Sequence, residues 1–211
     1  MFLTSQATSQ IDVQSNSPKR LPTEENYGAW QAAYRYFNEC LFEGKLPDCV
    51  ITNTRRRRTL GYFKREAFAD KLGFTAHEIS INPTHTAVHG DADALSTLVH
   101  EMAHLWREEF GPANRKGKKG APGYHDRVWA DKMEAVGLMP SDTDQPGGKR
   151  TGFRVGHYVI EGGPFDLACR ELLISDFVLT WADNPAHLRG APAGSADAGA
   201  MSGGSRPAAA A

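Results

Sequence analysis

The chain has 211 residues, of which 40% are hydrophobic, and its 24 Lys and Arg against 25 Asp and Glu leave a formal net charge of −1. That is enough apolar chain for one well-buried globular domain with tails, and too little for two full domains. No apolar stretch reaches the length of a membrane span, residues 1–20 lack a basic start and apolar block, and Cys40, Cys49 and Cys169 suggest no disulfide framework, so the expected setting is a reducing cytoplasm with no membrane partner.

Residues 1–22 are rich in Ser, Gln and Thr and read as a disordered arm. Pro22 and Thr23 then cap a helix over 24–42, with Tyr27, Trp30, Tyr34, Phe37 and Leu41 as its apolar stripe. Gly44 to Pro47 breaks the chain, and strand-like runs follow at 49–52, 60–63 and 78–81. His77 sits beside a strand, and Asn82-Pro83 opens a turn-prone segment in which His85 and His89 read as loop histidines. Residues 91–110 form the clearest helix: Leu95, Leu98, Val99, Met102, Leu105 and Trp106 recur at helical spacing, Asp91 and Asp93 suit its start, and Gly111-Pro112 ends it.

Inside that helix lies His100-Glu101-Met102-Ala103-His104. Four residues turn a helix by about 400°, so both imidazoles project from one face and can share a metal ion. Glu101, one residue along, stands beside the ion, where it can take a proton from a zinc-bound water. A catalytic zinc needs a third protein ligand and an open position. His125 is the best candidate, because Val128, Trp129, Met133 and Val136 follow it at helical spacing and place it in the first turn of an inward-facing stripe. An oxyanion stabiliser is also required; Tyr124, Arg127, His157 and Tyr158 are candidates, with Tyr124 and Tyr158 preferred.

Residues 111–123 join the two helices as a Gly-, Pro-, Lys- and Arg-rich loop, expected to be mobile at the mouth of the site. Beyond Pro140 a Gly/Pro/Asp linker leads to a strand-like run at 155–160, a helix at 165–173 with Cys169 as a core thiol, and a strand-like run at 177–181. These pieces are too short to fold alone and are expected to pack on the preceding domain. From 184 the chain is Ala/Gly/Ser/Pro-rich and reads as disordered. The expected organisation is therefore an arm at 1–22, a catalytic domain at 23–140, an α/β extension at 141–183 and a tail at 184–211.

In this order the sequence resembles the SprT-like zinc metalloprotease family, the Spartan-type protease domain. The resemblance rests on Tyr34-Arg35-Tyr36-Phe37-Asn38, Leu41-Phe42, Leu46-Pro47, Glu78-Ile79-Ser80-Ile81-Asn82-Pro83, Thr97-Leu98-Val99 before His100, and Gly123-Tyr124-His125 with Trp129-Ala130 and Met133. It implies an α+β, zincin-like domain with a small sheet packed on the H-E-x-x-H helix and its neighbours. The resemblance further implies one zinc ion held by His100, His104 and His125, Glu101 as the general base, and substrates that are proteins bound or crosslinked to DNA. Many members add a four-cysteine zinc ribbon, which three cysteines cannot build.

Basic clusters stand at 55–58, 64–65, 115–119 and 149–150. Arg115, Lys116, Lys118 and Lys119, beside the expected site, are the better candidates for single-stranded DNA contacts, whereas on a strand only two of Arg55 to Arg58 could share one face. The function expected is a cytoplasmic zinc endopeptidase, compatible with nucleoid association, acting in DNA-protein crosslink repair. Two rivals stand beside it: a nucleic-acid-associated binding or regulatory protein with structural zinc, and a zinc peptidase indifferent to DNA. Oligomeric state is not legible.

Overall fold

The computed structural model describes residues 21–56, 59–113, 119–121 and 123–188. Residues 1–20 of the arm expected at 1–22, Arg57, Arg58, Arg115, Lys116, Lys118 and the tail beyond 188 lie outside them. The fold is α+β, and no helix among the described residues is long and apolar enough to cross a membrane.

Helix α1, Pro22–Phe42, begins with Pro at its first turn rather than with a capping Thr23; Leu21 stands at the N-cap without a side-chain hydrogen bond. Proline suits this start because its missing N–H would have no helical partner there. Trp30, Ala33, Tyr34, Phe37 and Phe42 are buried, whereas Tyr27 stays 40% exposed. Each buried ring of this size contributes about 1.5–3 kcal/mol over its exposed state.

The main sheet has the order β1-β3-β2, with β1 (Val50–Asn53) parallel and β2 (Gly61–Ala69) antiparallel to the central β3 (Thr75–Ile81). Strands β2 and β3 reach well beyond the short runs expected at 60–63 and 78–81, through a bulge between Lys64 and Phe68. The outer half of β2 is largely exposed and charged, the pattern of an edge strand, so hydrophobic alternation fades there. The chain leaves β1 before Arg55, which pairs with Asp183 instead of joining a strand face.

The segment after β3 corrects the loop expected for His85 and His89: it is a helix, α2, Pro83–His89. Asn82 caps it by accepting from Thr84 N at 3.1 Å, and Pro83 occupies its first turn. Gly90 then turns the chain, at φ +85°, into α3, Asp91–Glu109, which packs on β2 and β3 with Leu95, Leu98, Val99, Met102 and Leu105 fully buried.

Helix α4 is Arg127–Ala135, and β4, Leu138–Ser141, follows it and runs past Pro140, beyond which a linker was expected; Pro140 masks the strand in the sequence. Strand β4 pairs antiparallel with β5, Gly156–Val159, so the 140/141 division falls inside one hairpin. Helix α5, Pro164–Ile174, packs on α1 through Phe165 and Phe37, whose ring centroids are 5.6 Å apart, and through Tyr36 Oη donating to the Ala168 carbonyl at 3.1 Å. Gly137 permits that packing: it sits at φ +94°, and a Cβ there would come within 2.7 Å of Phe165 N.

The strand expected at 177–181 does not form. That run has no strand partner among the described residues and is tied by Leu179 N to Asp91 and by Trp181 Nε1 to Glu25. The tail expected to be disordered from 184 opens with a short helix, α6, Pro185–Leu188.

Candidate metal centre

Helix α3 carries His100 and His104 one turn apart, with ring centroids 5.2 Å from each other. His125 comes from a different local structure than the sequence suggests. It precedes α4 instead of lying in its first turn, because Asp126 takes the N-cap and accepts from Trp129 N at 2.9 Å. His125 forms a two-way backbone bridge with Gly152, and its ring lies 5.4 Å from His100 and 4.8 Å from His104. One ligating nitrogen from each of the three histidines lies within 4.8 Å of the others.

The donor chemistry suits a metal ion. His125 Nδ1 lies 3.0 Å from the Gly152 carbonyl, so it must carry the proton and leave Nε2 bare. His100 Nδ1 lies 3.1 Å from His157 Nδ1, His157 Nε2 lies 2.9 Å from Ser96 Oγ, and Ser96 Oγ lies 2.8 Å from the Asp93 carbonyl. One assignment lets every donor meet an acceptor: His100 donates to His157, His157 to Ser96, and Ser96 to Asp93. It leaves His100 Nε2 as a free lone pair.

His157 is expected from the sequence only as a candidate oxyanion stabiliser, and Ser96 not at all; their place behind His100 is not legible there, since the contact spans 57 residues. The paired β4-β5 hairpin brings His157 there. Trp129 closes the inner wall, stacked on His104 at 5.0 Å and edge-on to His125 at 4.4 Å. Arg107, buried on α3, grips Asp126 with both Nε and Nη2 and so pins the start of α4, and with it His125, against α3. Burial works against the Asp126 charge, yet Arg107 and the Trp129 N–H hold its carboxyl below the usual range.

Glu101 is buried beside this cluster, and its carboxyl is pushed up to about 8 by burial, against the opposing pull of the Phe63 backbone N–H. Gly61 lets β2 approach: a Cβ there would meet Ser80 O and Thr97 Cγ2 at 3.0 Å and Glu101 Oε1 at 3.2 Å. Burial also depresses the imidazoles, His104 to about 3, His157 to about 4, and His100 and His125 below their ordinary 6.5.

A family model for the SprT-like family matches residues 30–147, which takes in His100, Glu101, His104 and His125 together. The chain belongs to the SprT-like family. A Salmonella typhimurium protein, named as an uncharacterized protein in the mucB 3' region, is 47% identical over 60 residues, 28% of this chain and 81% of that protein. No solved structure matches. His157 of this SprT-like chain lies beyond the matched span.

Of the other residues singled out in the sequence, Tyr124 stands at the rim, 38% exposed, with its ring 5.1 Å from Phe153. Tyr158 follows His157 on β5, and strand alternation directs it to the opposite face. Lys119 Nζ donates to the Glu108 and Glu109 carbonyls at the end of α3. His77, on β3, accepts from Glu66 N and meets Glu109.

These shifts set the stability of the metal-free SprT-like domain against pH. Depressed histidines stabilise above 6.5, and that contribution falls as pH drops toward 4 and 3, where the folded imidazoles must charge. Glu101 acts oppositely: its contribution is whole below 4.5 and is lost as pH rises to about 8. The metal-free melting temperature is expected to peak near about pH 6.5. By calorimetry, Glu101→Gln should remove the decline between pH 6.5 and 8 and keep the acid limb; an unchanged decline would refute the assignment to Glu101.

Proposed function

We propose that this chain is a zinc-dependent endopeptidase in which Glu101 is the general base, acting on proteins bound or crosslinked to DNA. The observation that carries the reading is one buried cluster of three uncharged imidazoles, His100, His104 and His125, beside a carboxyl that is not one of the three ligands. Zinc held there would supply Lewis acidity toward a peptide carbonyl and lower the pKa of water to about 7. His157 lies behind His100, outside the trio, which argues against a closed structural site with a fourth imidazole.

Glu101 takes a proton from the attacking water and delivers it to the leaving amine nitrogen, so it ends the cycle as it began. Its two opposed influences suit both halves: burial favours the protonated acid, and the Phe63 N–H favours the ionised base. Strand β2, an edge of its sheet, passes Glu101 at Gly61, where an extended substrate segment can add to the edge by backbone hydrogen bonds. Tyr124, next to His125 at the rim, is the better placed of the two tyrosines to steady the oxyanion. The DNA half of the reading is supported by family membership and by the basic run at 115–119.

The test is cleavage of one protein, free and DNA-bound, by zinc-loaded enzyme at low salt, where phosphate contacts are strongest. We expect cleavage that a zinc chelator abolishes and that single-stranded DNA accelerates. Equal rates with and without DNA would reduce the function to a DNA-independent zinc peptidase, and absence of chelator-sensitive cleavage would remove the protease.

A further inference from the structure

We propose a second divalent-metal site, for zinc or a similar transition-metal ion, formed by His85, His89 and Asp93 at the elbow between α2 and α3. His85 and His89 lie one helical turn apart on α2, with ring centroids 4.5 Å from each other. Gly90 reverses the chain so that Asp93, in the first turn of α3, meets them. One ligating atom from each of the three residues lies within 4.8 Å of the others, the same closeness found in the His100, His104 and His125 cluster.

The buried member points to a ligand. His85 is only 8% exposed, and its Nε2 is paired with the Asp93 carboxylate. That pairing already brings an imidazole nitrogen and a carboxylate oxygen together beside the His89 ring, so an ion seated among the three would take all of them as ligands. His89 and Asp93 are exposed, so the ion has an entry path and room for water to complete its coordination. Two imidazoles and one carboxylate suit zinc among the common divalent ions, since magnesium and calcium prefer all-oxygen sets.

Such a site would brace the elbow that launches the H-E-x-x-H helix. Asp93 also anchors the chain behind His100, since its carbonyl accepts from Ser96 Oγ at 2.8 Å and from Thr97 Oγ1 at 3.2 Å. The inference stands independently of the peptidase reading.

The test is equilibrium dialysis against zinc of wild type, His89→Ala, the double variant His100→Ala/His104→Ala, and all three substitutions combined. His89 is exposed, so its loss should leave the fold and the zinc-free melting temperature unchanged. We expect two equivalents in wild type, one in each of the first two variants and none in the triple variant. Asp93→Asn should lose the same equivalent as His89→Ala. If His89→Ala binds as much zinc as wild type, the second site does not exist. If the double variant keeps both equivalents, the His100 centre fails and the second site is not implicated.

Discussion

Replacing Glu101 with Gln should leave zinc bound in wild-type stoichiometry and lower peptide-bond cleavage by about 10²- to 10⁴-fold, the usual worth of a positioned general base. The substitution keeps the shape of a buried side chain and removes only its capacity to take a proton. It also leaves His100, His104 and His125 in place, so the nitrogens that would hold the metal keep their spacing. Packing is preserved as well: Gln has nearly the shape of Glu and fits the same space beside Gly61, where even a Cβ would come within 3.2 Å of Glu101 Oε1. The informative comparison is with His125→Ala, which should lose both zinc and cleavage because it deletes one of the three donors. Metal analysis and a cleavage assay on the same preparations separate the two variants. A Glu101→Gln protein that cleaves at the wild-type rate would end the proposed mechanism, and one that loses zinc would make Glu101 a ligand instead of a base.

The parts of this site that the sequence discloses are those written in local periodicity. The stripe from Leu95 to Leu105 announces α3, and His100, Glu101 and His104 inherit their relative positions from helical geometry. His125 is found by the same stripe logic for the wrong local reason: the helix begins after it, because Asp126 has the capping side chain. Helix α2 could have been read, since Asn82 followed by Pro83 is a helix start as well as a turn signal. The apolar run of Phe177 to Trp181 signals an extended chain, but it pairs with no strand among the described residues. Contacts between distant segments leave no such trace: Arg107 with Asp126, and His157 behind His100, depend on how the helices and the β4-β5 hairpin pack.

That last contact gives the second large effect. Replacing His157 with Ala should weaken zinc binding about 10- to 100-fold, the range seen when the partner behind a metal-binding histidine is removed. The reason lies in proton placement. His100 has two nitrogens, and it can offer Nε2 to a metal only if Nδ1 carries the proton. His157 Nδ1, 3.1 Å away, accepts that proton's hydrogen bond, and it does so because its own Nε2–H is committed to Ser96 and Ser96 in turn to the Asp93 carbonyl. Without His157, the His100 ring loses both its orientation and its preference for the useful tautomer. His157→Asn, which can present an amide oxygen near the lost Nδ1, should recover part of the affinity. Competition against a chromophoric zinc chelator measures this without any substrate. A purely structural role for His157 would lower the melting temperature of both variants and leave their zinc affinity equal to wild type, and that outcome would remove His157 from the metal centre.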